Sequence, residues 1–194
     1  MQNLVASNLM TLEQYAAARS AFRARAMAHK RDRKVPIGPH ATLYFEDWLT
    51  MQYQVQEMLR IEGTSAPEGI ADELAVYNPM IPDGTNWKAT LMLEYADISE
   101  RRAALERMIG VEDCVWVQVA GNARVRAIAD EDLERTRAGK TSAVHFLRFE
   151  LTPEMIVAVK AGADVAMGIG HEAYRVSVDA VPRNVLQSLV ADLL

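Results

Sequence analysis

Cys114-Val115-Trp116-Val117-Gln118-Val119-Ala120-Gly121-Asn122-Ala123-Arg124-Val125-Arg126-Ala127-Ile128-Ala129 is the stretch that decides the fold class. It reads as two strands, 114–120 and 124–129, joined through Gly121-Asn122, a pair suited to a tight hairpin turn. The segments around it repeat the pattern. A strand is expected over 87–95, a long one over 142–151, and a further pair over 165–169 and 174–178. Helices fall between them: 99–108 with Ser99 as cap and Gly110 as stop, a second from Thr152-Pro153-Glu154 to Gly162, and a last one opened by Pro182. Neighbours of hairpin type predict an α+β fold, with a largely antiparallel β-sheet and helices packed on one face.

The first part of the chain is mainly helical and precedes that sheet. Thr11-Leu12-Glu13-Gln14 is a capping box, and the helix it opens is expected to run to about Arg33. Tyr15, Ala18, Phe22, Ala26 and His29 form its apolar stripe, while Arg19, Arg23, Lys30 and Lys34 share a neighbouring face. Two prolines keep 35–39 extended or turning. A strand over 41–45 follows, with Ala41, Leu43 and Phe45 on one side. Asp47 caps a helix ending near Glu62-Gly63, and a third helix spans 67–77. The loop 78–84 is the expected internal boundary of a single domain, 1–194, between a mainly helical part (1–82) and an α+β part (83–194).

Composition narrows the function classes. The single cysteine, Cys114, forms no internal disulfide and supplies no cysteine cluster. The opening residues lack a basic, apolar signal pattern, and no run approaches the roughly 18 apolar residues of a membrane span. A soluble, cytoplasmic protein with no membrane association is the expectation. The net charge is −5, yet residues 1–40 carry seven basic side chains against Glu13 and Asp32. A basic end therefore adjoins an acidic body, which suits docking to an acidic partner. Nucleic acid is a poorer fit, since only Phe22 lies among those basic residues. Self-association into a homo-oligomer is left open.

Common catalytic motifs fail on inspection. Gly139-Lys140-Thr141 lacks the upstream glycine of a phosphate-binding loop, having Glu134 there, in a segment that reads as acidic helix. Gly168-Ile169-Gly170 lacks the third glycine of a dinucleotide fingerprint, with Ala173 in its place. His171-Glu172 lacks the second histidine of a zinc-protease helix. No serine sits between glycines at elbow spacing, and no Glu-x-x-His pair is present. No reaction is assigned.

Polar groups on the 47–62 helix stand out instead. Trp48, Met51, Val55, Met58 and Leu59 form one apolar face, and the opposite face carries Thr50, Tyr53, Glu57 and Arg60, with Glu46 just before it. Tyr53–Glu57 and Glu57–Arg60 are at contact spacing, which makes Tyr53, Glu57 and Arg60 a candidate ligand-binding face or a docking network. Glu46 and Glu57 lie roughly 16 Å apart along a helix axis, so each must meet its own partners. His29 and His145 fall on apolar faces and are expected in the core. His40 and His171 lie in loops; with Glu46 they make a candidate nitrogen–oxygen metal site for zinc, iron or manganese, and Glu57 is a further candidate ligand.

Several of these segments together resemble a bacterial family of unknown function. They are Phe22-Arg23-Ala24-Arg25, Gly38-Pro39-His40, Phe45-Glu46, Gln54-Val55-Gln56-Glu57-Met58-Leu59-Arg60, Tyr77-Asn78-Pro79-Met80-Ile81-Pro82, Ser142-Ala143-Val144, Arg148-Phe149 and His171-Glu172-Ala173-Tyr174. The resemblance spans nearly the whole chain. It implies gene neighbourhoods with rubrerythrin-like diiron proteins and flavin or iron–sulfur oxidoreductases, hence an accessory or binding protein beside a redox system, with an oxidoreductase as partner. It carries no catalytic residue with it.

Overall fold

The structure is a computed structural model, and it describes residues 2–129 and 139–194. The acidic helix expected just before Gly139 lies outside the described residues. Among these residues eight strands and six α-helices follow one another as α1 (Leu12–Arg31), β1 (Lys34–Ile37), β2 (Ala41–Glu46), α2 (Trp48–Glu62), α3 (Pro67–Tyr77) and β3 (Asn86–Leu93). Then come α4 (Ile98–Arg107), β4 (Val115–Val119), β5 (Val125–Arg126), β6 (Val144–Glu150), α5 (Pro153–Lys160), β7 (Val165–His171), β8 (Tyr174–Val178) and α6 (Arg183–Val190).

Among the described residues every strand pairing is antiparallel, and the strands divide between two four-stranded sheets, β1-β2-β3-β6 and β5-β4-β7-β8. The antiparallel α+β expectation holds. The partition into two sheets depends on pairings between distant segments, which local pattern does not encode. The first sheet draws β1 and β2 from one side of the 78–84 loop and β3 and β6 from the other.

Alternation decides what each face meets. Ala41, Leu43 and Phe45 of β2 point inward with Trp87, Ala89 and Leu91 of β3, and from the second sheet Val115, Val117, Met167 and Ile169 meet them. Helices α4, α5 and α6 close this core with Leu105, Ile156 and Leu189. The sheets are stitched at both edges. Ile128 and Arg148 exchange backbone hydrogen bonds of 2.8 and 2.9 Å, and the Tyr174 hydroxyl donates to the Ile37 carbonyl at 2.6 Å. Gly38 (φ +73°) makes the β1–β2 turn, where a Cβ would lie 2.7 Å from that hydroxyl. Only glycine fits.

Capping chemistry sets the helix starts. Thr11 and Gln14 form the capping box of α1, Asp47 accepts from the Thr50 amide at 2.9 Å, and Thr152 caps α5. For α4 the cap is Asp97, two residues before Ser99, because its carboxylate reaches the Glu100 amide at 2.8 Å. Pro36 sits inside β1, which is tolerable because β1 is an edge strand. Helices α1, α2 and α3 cover the outer face of the first sheet. Val55, Leu59, Leu74 and Met80 make one apolar cluster there, and Tyr15, Phe22, Ala26 and Tyr53 a second. Arg33, 2% exposed, ties the layers together by donating to the Phe45 and Glu46 carbonyls and to Asp192.

Candidate functional site

Helix α2 meets α1 through a dense set of charged and aromatic contacts. Glu57 Oε1 accepts from the Tyr15 hydroxyl at 2.7 Å and from Arg19 Nε at 2.8 Å; Oε2 accepts from Arg19 Nη2 at 2.9 Å and Arg60 Nη2 at 3.2 Å. The Arg19 guanidinium, outweighing the cost of burial, holds the Glu57 carboxyl down at about 2, with Tyr15 and Arg60 adding to the effect. Burial, then the Glu57 carboxylate, pushes the Tyr15 phenol well above its ordinary value. Tyr53 stacks on Phe22 with ring centroids 6.1 Å apart, and Phe22 meets Tyr15 edge to face. Tyr53, Glu57 and Arg60 thus share a neighbourhood, as their spacing requires. Tyr15 and Arg19, the partners that saturate Glu57, come from α1. The assembly has the geometry of an interhelix clamp.

The metal trio is not assembled. His40 begins the β2 hairpin and Glu46 ends β2, so six residues of extended chain hold them roughly 20 Å apart. The His40 ring lies flat on Tyr95, centroids 4.0 Å apart, with Nδ1 3.1 Å from the Glu94 carbonyl. His171 uses both ring nitrogens, Nε2 toward the Ile109 carbonyl at 3.1 Å and Nδ1 accepting from the Ala173 amide at 3.2 Å. A ring so engaged has no lone pair left for a metal. Among the described residues, no three His, Cys, Asp or Glu side chains gather to hold a metal ion. His145 is in the core, 1% exposed, with Nε2 2.9 Å from the Thr141 hydroxyl. His29 is less enclosed and meets the Asp47 carboxylate at 2.5 Å.

Glu46 stands in a different setting. Thr42, Tyr44 and Glu46 alternate with the core residues of β2 and so face outward, toward α1 and α2. There a cavity of about 530 Å³ separates the sheet from the helical layer. Its apolar walls are Met27 of α1, Met51 of α2, Met80 just after α3, Met92 of β3 and Phe146 of β6. Glu46 is 5% exposed. Its Oε1 accepts from the Thr90 hydroxyl at 2.8 Å, while Oε2 has no hydrogen-bond partner among the described residues. Such an orphaned acceptor is costly to bury, and burial without a donor asks for an explanation.

Charged groups surround it without filling that place. Lys88 is the cross-strand partner of Glu46, and Lys30 lines the cavity with its ammonium 5.8 Å from the Tyr53 ring. At the far end Glu94 accepts from the Thr42 hydroxyl at 3.1 Å. Burial, reinforced by Glu94, raises the Tyr44 phenol, which therefore stays protonated on the cavity floor.

Sequence reasoning singled out Glu46 but missed Tyr44, Thr90 and the methionines. The available signal was the polar half of the β2 alternation, Thr42-x-Tyr44-x-Glu46, opposite the apolar half already recognised. No local signal marks the methionines, which come from four separate elements.

A family model described as a protein of unknown function (DUF3501) matches residues 3–193. No curated protein matches the chain. The crystal structure of a protein of unknown function from Burkholderia pseudomallei K96243 is similar over 100% of both chains, at 49% sequence identity and a TM-score of 0.94. Among the described residues no helix is long and apolar enough to cross a membrane.

Proposed function

We propose, for a chain that belongs to the DUF3501 family of unknown function, that it is a binding protein for a small apolar molecule carrying a donor head group, an ammonium or a hydroxyl. The observation that carries this reading is the buried Oε2 of Glu46, left without a donor among the described residues in a side chain that lines a cavity of about 530 Å³. That size lies within the usual range for small-molecule pockets, roughly 300–1,000 Å³. Thr90 fixes the carboxylate through its other oxygen, so the free lone pairs are held in place. Methionine side chains are unbranched and polarizable, and they adapt to an irregular apolar body. A donor head would supply Oε2 with its missing bond, and a carboxylate head would be repelled.

Thermal shift with n-hexylamine, 1-hexanol and hexanoate tests this. The amine and the alcohol raise Tm in a saturable way, since a ligand that binds only the folded state adds about 2.7 kcal/mol at one hundred times its Kd. Hexanoate does not, and Glu46→Leu abolishes both responses. Equal shifts for all three compounds, or none, defeat the reading.

A second reading concerns the accessory role beside a redox system, with an oxidoreductase as partner. It is supported by the outer face of α1, where Arg23, Arg25 and Arg31 are exposed in a chain of net charge −5. Arg25 is held over the Phe22 ring at 4.9 Å. A pull-down at low salt recovers an acidic oxidoreductase if this face docks one, and charge reversal at Arg23 and Arg31 releases it.

A further inference from the structure

The outer face of the second sheet carries a groove that has no part in the Glu46 cavity. Its volume is about 520 Å³, and its walls include Arg124, Arg126, Arg175, Trp116 and Ser177. Strand register explains the gathering. Trp116 lies opposite both Arg126 and Gly168, Gly168 opposite Ser177, and Gly170 opposite Arg175. Directly paired residues share a face, so β5, β4, β7 and β8 send these groups outward while their valines, Met167 and Ile169 build the core.

Two glycines shape the groove. At Gly168 a Cβ would come within 2.5 Å of the Trp116 ring, so the bare backbone lets the indole lie across β7. At Gly170 the nearest atom to such a Cβ is the Cys114 carbonyl at 3.7 Å, and the missing side chain leaves the floor open. The Gly168-Ile169-Gly170 pattern, which fails as a dinucleotide fingerprint, has this other use. The Arg124 guanidinium sits 3.8 Å from the centroid of the same ring. Trp116 thereby backs the Arg124 guanidinium through a cation–π contact.

These charges have no counter-charge in the groove among the described residues. Among the described residues the Arg126 and Arg175 side chains make no hydrogen bond or ion pair, the Arg124 side chain has only the Gln118 amide oxygen at 3.5 Å as a hydrogen-bond partner, and no carboxylate lines the groove. Cys114 at its edge has a thiol raised by burial and stays neutral. Three guanidinium groups collected in one concavity repel one another unless an anion is placed between them. This occurs in a chain with an acidic excess, where carboxylates to pair with them are plentiful.

We propose that this groove is a binding site for a small molecule bearing a phosphate or diphosphate. The guanidinium fork pairs with two phosphate oxygens at once, Arg124 is pre-oriented by its indole, and the Ser177 hydroxyl adds a neutral donor. Its volume of about 520 Å³ suits a small ligand.

Calorimetric titration of sodium pyrophosphate into the full chain at low ionic strength tests the proposal, with Trp fluorescence as a second readout. One site is expected, with affinity falling about tenfold for each of Arg126→Ala and Arg175→Ala, the loss of one charge-assisted bond apiece. Both arginines are exposed, so folding of the variants is not at issue and circular dichroism will match the parent. Glu46→Leu leaves pyrophosphate binding unchanged, which separates this site from the cavity. Absence of saturable binding, or unchanged affinity in both arginine variants, overturns the proposal. So does a single-stranded oligonucleotide that binds tenfold tighter than pyrophosphate through the same arginines, because the face then belongs to a polymer.

Discussion

Glu57 and Glu46 sit eleven residues apart at one helix and its entry, both largely buried, and their surroundings have opposite character. Around Glu57 every carboxylate oxygen is met, by one phenol and two guanidinium groups. Around Glu46 one oxygen is met by Thr90, and the other is buried without a donor among the described residues, in a side chain that lines a methionine-walled cavity. A saturated buried carboxylate is a fastener, since nothing remains for a ligand to add. An unsaturated one is a destabilising element in the empty protein, and its retention makes physical sense where an arriving donor completes it.

Breaking the saturated member has the largest effect. Glu57→Ala leaves the fully enclosed Tyr15 hydroxyl without its acceptor and frees Arg19, so stability falls by about 2 kcal/mol. Urea unfolding measures it, and binding in the Glu46 cavity survives wherever the protein is folded. Acid sharpens the same contrast. The Glu57 carboxyl is held at about 2 against an ordinary 4.5, so its contribution is present above 4.5 and is lost as pH falls through about 2. Wild-type stability converges on that of Glu57→Gln across this window. The smallest effect belongs to Glu46→Leu. Removing a half-satisfied buried charge and adding apolar volume beside methionines changes stability by no more than about 1 kcal/mol, and the sign favours the variant. A loss comparable to that of Glu57→Ala would show that Glu46 is a fastener too.

The two glutamates also mark how far the sequence is legible. Helix starts were readable where a side chain caps its own backbone, as at Thr11 and Asp47, because the chemistry is contained within four residues. The inward and outward faces of β2 were readable from alternation alone. The grouping of Tyr53, Glu57 and Arg60 followed from helical spacing, whereas Tyr15 and Arg19 lie 42 and 38 residues before Glu57 and come to it only through the α1–α2 packing. His40 and Glu46, near each other in sequence, are held apart because the intervening chain is a strand. The cavity was illegible for a related reason: its walls come from α1, α2, β2, β3, β6 and the turn after α3, and no one segment carries its signature.

The most direct test of the central claim is a crystal structure of the protein grown with n-hexylamine. The amine nitrogen is expected at hydrogen-bond distance, about 3 Å, from Glu46 Oε2, with the alkyl chain between Met27, Met51 and Met92. A ligand bound elsewhere, or Lys30 closed onto Oε2 with the cavity collapsed, would contradict it.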